Sequence, residues 1–213
     1  MWVRDFMKKD VITVDVNTPI MAALEIMKHN KIKRLPVIKN RKFVGLVTRA
    51  MIRDASPSEA TSLSMHELNY LISKMTAGDI MVKEPITISP DHPVEEAIRL
   101  GMEHGVGAFP ILENGELVGL ITESDISGVV SEALGLGEDD SKRITIEASG
   151  KRFGFLKGLV EVLDEHKIPL MSIMSIPKSQ GGDWFLVLRV NSKNASLAAE
   201  DMKKKGYKVA DVT

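Results

Sequence analysis

Thr122 and Asp125 stand three residues apart in the run Gly119-Leu-Ile-Thr-Glu-Ser-Asp125. The apolar residues before Thr122 read as a strand and the polar ones after it as the start of a helix. A carboxylate at such a junction can accept hydrogen bonds from two adjacent sugar hydroxyls, and charge-assisted bonds of this kind are the stronger ones. A hydroxyl in the first helical turn can sit beside a sugar or a phosphate, where free backbone N–H groups attract the anion. The same Thr-x-x-Asp spacing also caps a helix, with Thr122 as N-cap and the acid near the third position. Spacing alone leaves both roles open.

The chain carries an internal comparison. Residues 4–52 and 78–126 align without a gap at a constant offset of 74. Arg4-Asp-Phe-Met7 answers Gly78-Asp-Ile-Met81, Ile12-Thr-Val14 answers Ile86-Thr-Ile88, and Leu35-Pro-Val-Ile38 answers Phe109-Pro-Ile-Leu112. In copy one the junction reads Thr48-Arg-Ala-Met51: the hydroxyl is kept and the carboxylate is gone. Starting this helix therefore does not require the acid.

Each copy reads as β-α-β-β-α, a unit that needs its twin to bury its apolar face. In copy one the expected order is a short arm at 5–7, a strand at 11–14, a helix after Pro19, strands at 33–38 and 43–47 around an Asn40-Arg41 turn, and a helix from Thr48. Copy two repeats it: strand 86–89, helix 94–104, strand 108–112, an Asn114-Gly115 hairpin turn, strand 117–121 and a helix from Thr122 to about Leu134. Between the copies, residues 64–75 place Met65, Leu68, Leu71, Ile72 and Met75 on one face of an amphipathic helix. After the linker Gly135-Leu-Gly-Glu-Asp-Asp-Ser141 the rhythm changes to βαββαβ, the ferredoxin-like split motif. There Asn194 is expected to cap the last helix and Gly206 to end it. The expected fold class is mixed α/β (α+β), divided as repeat 1–53, linker helix 54–76, repeat 77–135, linker 136–141 and a terminal domain 142–213.

Composition excludes several classes. A net charge of −1 leaves no electrostatic footprint for nucleic acid. No run reaches the length of a membrane span, and Met1-Trp-Val-Arg-Asp-Phe lacks the build of a signal peptide. The absence of cysteine removes disulfides and thiolate chemistry and suits the cytoplasm. His29, His66, His92, His104 and His166 show no metal-ligand spacing, and Glu67 beside His66 adds no second ligand. There is no phosphate-cradling glycine motif, and the 12 methionines fall mostly at core-type helical positions. No catalytic residue, metal or resident cofactor is expected, so the chain reads as non-enzymatic.

The Asp-Ile-Met entry, the Ile-Thr-Ile strand, the Pro-hydrophobic strand and Gly119–Asp125 make residues 3–135 resemble a tandem of CBS domains, or Bateman module. The tail, about 142–213, resembles an ACT domain by element order and length, with Gly154 alone of the usual Pro-Gly pair. Together with Met65-His-Glu-Leu-Asn-Tyr, this arrangement resembles the acetoin-utilisation accessory proteins.

The CBS resemblance implies a regulatory adenosine-nucleotide sensor for AMP, ADP or ATP, with Thr122 and Asp125 on the ribose and Ile86, Thr87, Ile88, Phe109 and Pro110 around the base. The Met51 position should then be a weak or empty site. Lys31, Lys33 and Arg34 of copy one, facing Gly105, Gly107 and Ala108 across a pseudo-twofold axis, are the cations expected to reach the phosphates, Arg34 first because its fork suits phosphate. His104 is a lesser candidate, as a lone histidine at a helix end. The ACT resemblance implies dimerisation or a second small ligand near Phe153, Gly154 and Phe155. The expected partners are the nucleotide, a second copy of the chain and an unidentified regulated protein, with neither nucleic acid nor membrane. A scaffold with a decayed site is the alternative, and direct action in acetoin metabolism a third.

Overall fold

The computed structural model describes residues 1–55, 70, 72–136, 140–150, 153–178, 182–191 and 193–213, in two compact units, Met1–Ile126 and Ser127–Thr213. In the first unit copy one runs α1 (Val3–Phe6), β1 (Val14–Asp15), α2 (Ile20–His29), β2 (Arg34–Lys39), β3 (Lys42–Thr48) and α3 (Arg49–Asp54). Copy two follows with α4 (Ala77–Ile80), β4 (Val82–Lys83), α5 (Val94–His104), β5 (Ala108–Glu113) and β6 (Glu116–Thr122), and α6 (Glu123–Ala133) begins in this unit and ends in the second.

Both hairpins turn on two residues with positive φ: Asn40 and Arg41 (52° and 65°) in copy one, Asn114 and Gly115 (50° and 83°) in copy two. That is the twist-matched turn, and it fixes the first pairs Lys39↔Lys42 and Glu113↔Glu116; a bulge in each hairpin then shifts the register by one residue and brings Gly45 opposite Val37 and Gly119 opposite Ile111. Apolar residues at helical spacing, Ile20, Ala23, Leu24 and Met27, form the inner face of α2, with Leu24 partly buried. Ile20, Ala23 and Met27 are buried on α2, Val94 and Ala97 on α5, and each large side chain so buried stabilises by about 1.5–3 kcal/mol.

The two copies exchange their N-terminal arms. Lys8 of copy one pairs with Leu120 on β6, with N–H···O distances of 2.9 and 3.0 Å in the two directions. At the equivalent place Val82 of copy two pairs with Leu46 on β3. Glycine makes both crossings possible. A Cβ on Gly119 would stand 2.6 Å from Met7 Sδ and 3.1 Å from the Lys8 carbonyl, and one on Gly45 2.6 Å from Met81 Sδ and 2.7 Å from the Val82 carbonyl. Leu46 and Leu120, one from each copy, pack together with Ala108 where the repeats meet.

Two expected strands shrink. Residues 86–89 contribute only the bridge Ile88↔Ile111, and 11–14 reduce to β1, paired parallel with β2 at Val14↔Val37. Their β-branched residues fit a strand, but the chain leaves the sheet at once, so little ladder forms. Of the expected helix at 64–75, Ile72 and Met75 pack on the copy-one core, while Met65, His66, Glu67, Leu68 and Leu71 lie outside the described residues. No helix among the described residues is long and apolar enough to cross a membrane.

The second unit contains β7 (Ser141–Ala148), α7 (Phe155–Glu165), β8 (Leu170–Pro177), β9 (Trp184–Asn191), α8 (Ala195–Lys204) and β10 (Lys208–Val212). Its antiparallel sheet has the order β10-β7-β9-β8, the split βαββαβ arrangement read from the sequence. Ile144, Ile146, Leu186 and Leu188 of the sheet meet Leu159, Val162 and Met202 of the helices. Gly206, at φ 91°, follows the last helix as expected. Asn194 occupies the N-cap position of α8 but makes no side-chain cap bond. Its backbone (φ −87°, ψ 6°) lies outside the β region from which a cap side chain reaches the helix amides.

Candidate functional site

The exchange of arms builds the site. Thr122 ends β6, and Asp125 stands in the first turn of α6. Asp125 Oδ2 accepts from the Thr122 amide (2.9 Å) and from Thr122 Oγ1 (2.5 Å). Asp125 Oδ1 lies 3.1 Å from Lys8 Nζ, which the copy-one arm delivers across β6. The carboxylate is 14% exposed. Burial by itself would raise its pKa, but the bonds from Thr122 Oγ1, Lys8 and the Thr122 amide outweigh that cost and hold it below the usual carboxylate value.

The same hydroxyl–amide–carboxylate arrangement occurs at Thr76 and Asp79, where Asp79 Oδ2 accepts from the Thr76 amide (2.7 Å) and Oγ1 (2.8 Å). Asp125 therefore occupies the acid position of a capping box. In copy one Thr48 caps α3 without an acid, its Oγ1 accepting from the Met51 amide at 3.2 Å. Asp125 thus divides its contacts: Oδ2 fixes the helix start, and Oδ1 faces the ammonium of the exposed Lys8.

A cleft of about 360 Å³ opens beside this pair. Copy two lines it with Leu120, Thr122, Glu123 and Ser124, and copy one with Lys31, Lys33 and Arg34 and with the arm residues Lys8, Asp10, Val11 and Ile12. The copy-one cations and the copy-two hydroxyl thus share one cavity. Gly107 helps to make room for them. A Cβ there would stand 2.7 Å from Arg34 Nη2 and 3.2 Å from Glu123 Oε2, so both side chains flank this glycine, whose copy-one counterpart is Lys33.

The residues expected around a base are placed differently. Ile88 and Phe109 are core residues, 4% and 1% exposed, and Pro110 is buried, while Ile86 and Thr87 are half-buried and do not line this cleft. His104 is exposed at the end of α5. In the second unit Phe153 is 99% exposed, Gly154 has φ 77° ahead of α7, and Phe155 packs edge-on to Trp184 with ring centroids 4.8 Å apart. Lys8 and Glu123 are site residues that spacing did not single out. The signal for Lys8 was present, since its counterpart at the 74-residue offset is Val82, just as Asp125 answers Met51.

Two copies of one β-α-β-β-α unit, interlocked by their arms around a shared cleft, define an internally duplicated class of module. The chain belongs to the CBS domain family, whose model matches residues 3–58 and 77–132, together more than half of its length. It is 36% identical over 124 residues to an inosine-5′-monophosphate dehydrogenase of Korarchaeum cryptofilum, covering 58% of this chain but only 23% of that enzyme.

Among solved structures it resembles a CBS domain pair in complex with 5′-methylthioadenosine and S-adenosyl-L-methionine, at 26% identity and a TM-score of 0.52, covering 62% of this chain and 96% of that one. It also resembles CBSX2 in complex with AMP, at 27% identity and a TM-score of 0.50, covering 61% and 95%. An acetoin utilization protein of Vibrio cholerae shares the fold at 21% identity, with a TM-score of 0.53 over 63% and 93%.

Proposed function

We propose that this chain is a regulatory sensor whose CBS pair binds an adenosine nucleotide, AMP, ADP or ATP, and changes conformation or oligomer contacts in response. One observation carries the reading: a single cleft gathers Thr122 of copy two with Lys33 and Arg34 of copy one, beside the Asp125 carboxylate. The ribose hydroxyls would meet Thr122 and Asp125 Oδ1, with Lys8 swinging aside, and the phosphates would meet Arg34 and Lys33. The adenosine ligands of the two related structures support the choice of nucleoside. The split βαββαβ unit fits an ACT domain that dimerises the chain or takes a second small ligand. The module acts in the cytoplasm on another protein and catalyses nothing itself.

Isothermal titration with AMP, ADP, ATP and S-adenosyl-L-methionine tests this. Saturable binding of an adenosine ligand is expected, and its loss in Asp125→Ala while the variant remains folded, destabilised by about 1 kcal/mol for the lost cap. Absence of both heat and thermal shift with every ligand removes the proposal.

A second reading has its own observation. Both Asp125 oxygens are already engaged by Thr122 and Lys8, as expected of a scaffold whose acid only caps a helix. Pull-down of partners with and without nucleotide separates the two, since a scaffold captures the same proteins either way.

A further inference from the structure

We propose that the adenosine ligand carries a polyphosphate chain that runs from the cleft between the repeats into a second, basic cleft on copy one; this rests on the nucleotide reading above. The second cleft, about 710 Å³, is lined by Lys28, Lys33, Arg34, Arg49 and Arg53 around Thr48, and no acidic side chain among the described residues lines it. Lys33 and Arg34 line both clefts, so the two meet along that pair.

The charge is specific to copy one. At the 74-residue offset the five cations become Met102, Gly107, Ala108, Glu123 and Ser127. A basic helix face needed only for solubility would not be erased so completely in its twin. Two of the cations are partly neutralised nearby, Lys28 by Glu25 at 2.7 Å and Arg53 by Asp54 at 3.1 Å. Lys33, Arg34 and Arg49 have no ion-pair partner among the described residues.

Lys33, Arg34 and Arg49, gathered without an ion-pair partner among the described residues, repel one another, and a polyanion relieves that repulsion. A monophosphate is served by Lys33 and Arg34 in the first cleft. Further phosphates gain only if they pass them and reach Arg49 and Arg53. A neutral thioether nucleoside gains nothing from this cleft, and a sulfonium cation is repelled by it. The expected order is ATP over ADP over AMP, with 5′-methylthioadenosine and S-adenosyl-L-methionine last.

The test is calorimetric titration of the full chain with ATP, AMP and 5′-methylthioadenosine, on the wild type and on Arg49→Glu, which installs the copy-two residue at an exposed position. ATP is expected to bind at least about tenfold more tightly than AMP, the scale of one charge-assisted contact. In Arg49→Glu that advantage disappears because ATP affinity falls much further than AMP affinity, while the melting temperature without ligand stays unchanged. Arg53→Ser, also exposed, gives a smaller loss in the same direction and serves should Arg49→Glu fail to fold. AMP binding as tightly as ATP, or a variant that weakens both ligands equally, overturns the polyphosphate inference and leaves the nucleotide site standing. If no adenosine ligand binds, the nucleotide reading falls and the inference with it.

Discussion

Lys8 Nζ lies 3.1 Å from Asp125 Oδ1, and the pseudo-twofold counterparts of these two residues are Val82 and Met51. Both ends of the pair are thus replaced together in the other half. The partners are 117 residues apart in sequence yet change as one unit, because each arm crosses the last strand of the opposite copy. The asymmetry is coherent: one half carries acid and cation, and the other carries two apolar residues on the same backbone frame.

That frame predicts a gain of stability for Met51→Asp. Thr48 already caps α3 through the Met51 amide, and an aspartate there completes the box seen at Thr122 and Asp125. The helix start should gain about 0.5–1 kcal/mol, read as a higher denaturant midpoint with unchanged m-value. An unchanged or lower midpoint would show that the copy-one backbone cannot seat the acid.

Acid stability should depend on Asp125 in a definite direction. Its folded pKa lies below the usual 3.8, so the unfolded chain takes up that proton at higher pH than the folded one. The resulting stabilisation is complete above the unfolded value and is lost as pH falls through the folded one. Asp125→Asn should therefore be less stable than wild type at neutral pH, with the gap closing only as pH drops below 3.8. Asp79 is shifted the same way, first by the Thr76 amide and then by the Thr76 hydroxyl, so the general acid transition persists in the variant. A gap independent of pH would place the effect of Asp125→Asn outside its charge.

Some of this was legible in the sequence and some was not, for physical reasons. The Asn114-Gly115 turn and the helix Val94–His104 follow from local chemistry, and both stand where expected. Arm exchange has no local signature, because nothing in the residues of an arm states which strand it joins. Its only trace is glycine at both 45 and 119, where a Cβ would strike the crossing chain. Nor does apolar identity separate a pocket wall from a core: Ile88 and Phe109 look like slot residues by type, and burial alone shows them packed inside.

Lys31 should trade stability for binding. It sits at φ 54°, and its copy-two counterpart, Gly105, at φ 64°. A lysine in the left-handed region is strained by about 1 kcal/mol, and it faces the cleft between the repeats. Lys31→Gly is expected to raise the melting temperature, by up to about 1 kcal/mol of stability, while weakening nucleotide binding several-fold. Tighter or unchanged binding in a stabilised Lys31→Gly would remove Lys31 from the site.

The exchanged arms can be tested by a matched pair, Gly119→Val and Gly45→Val. Each valine drives its Cβ into the arm that crosses it, at Met7 and Lys8 in one case and at Met81 and Val82 in the other. Overpacking of this kind typically costs about 1–3 kcal/mol, and near-symmetric contacts imply similar losses of stability. The effects on binding should diverge. Gly119→Val displaces Lys8 from Asp125 and disturbs the cleft, so nucleotide affinity should fall, and the Lys8 and Leu120 amides, bonded at 2.9 and 3.0 Å, should exchange with solvent faster. Gly45→Val displaces Val82, in the half where Met51 stands in place of the acid, and should leave affinity near that of the wild type. Equal losses of affinity in both variants would show that the two halves act as one site rather than as a competent half beside a structural one.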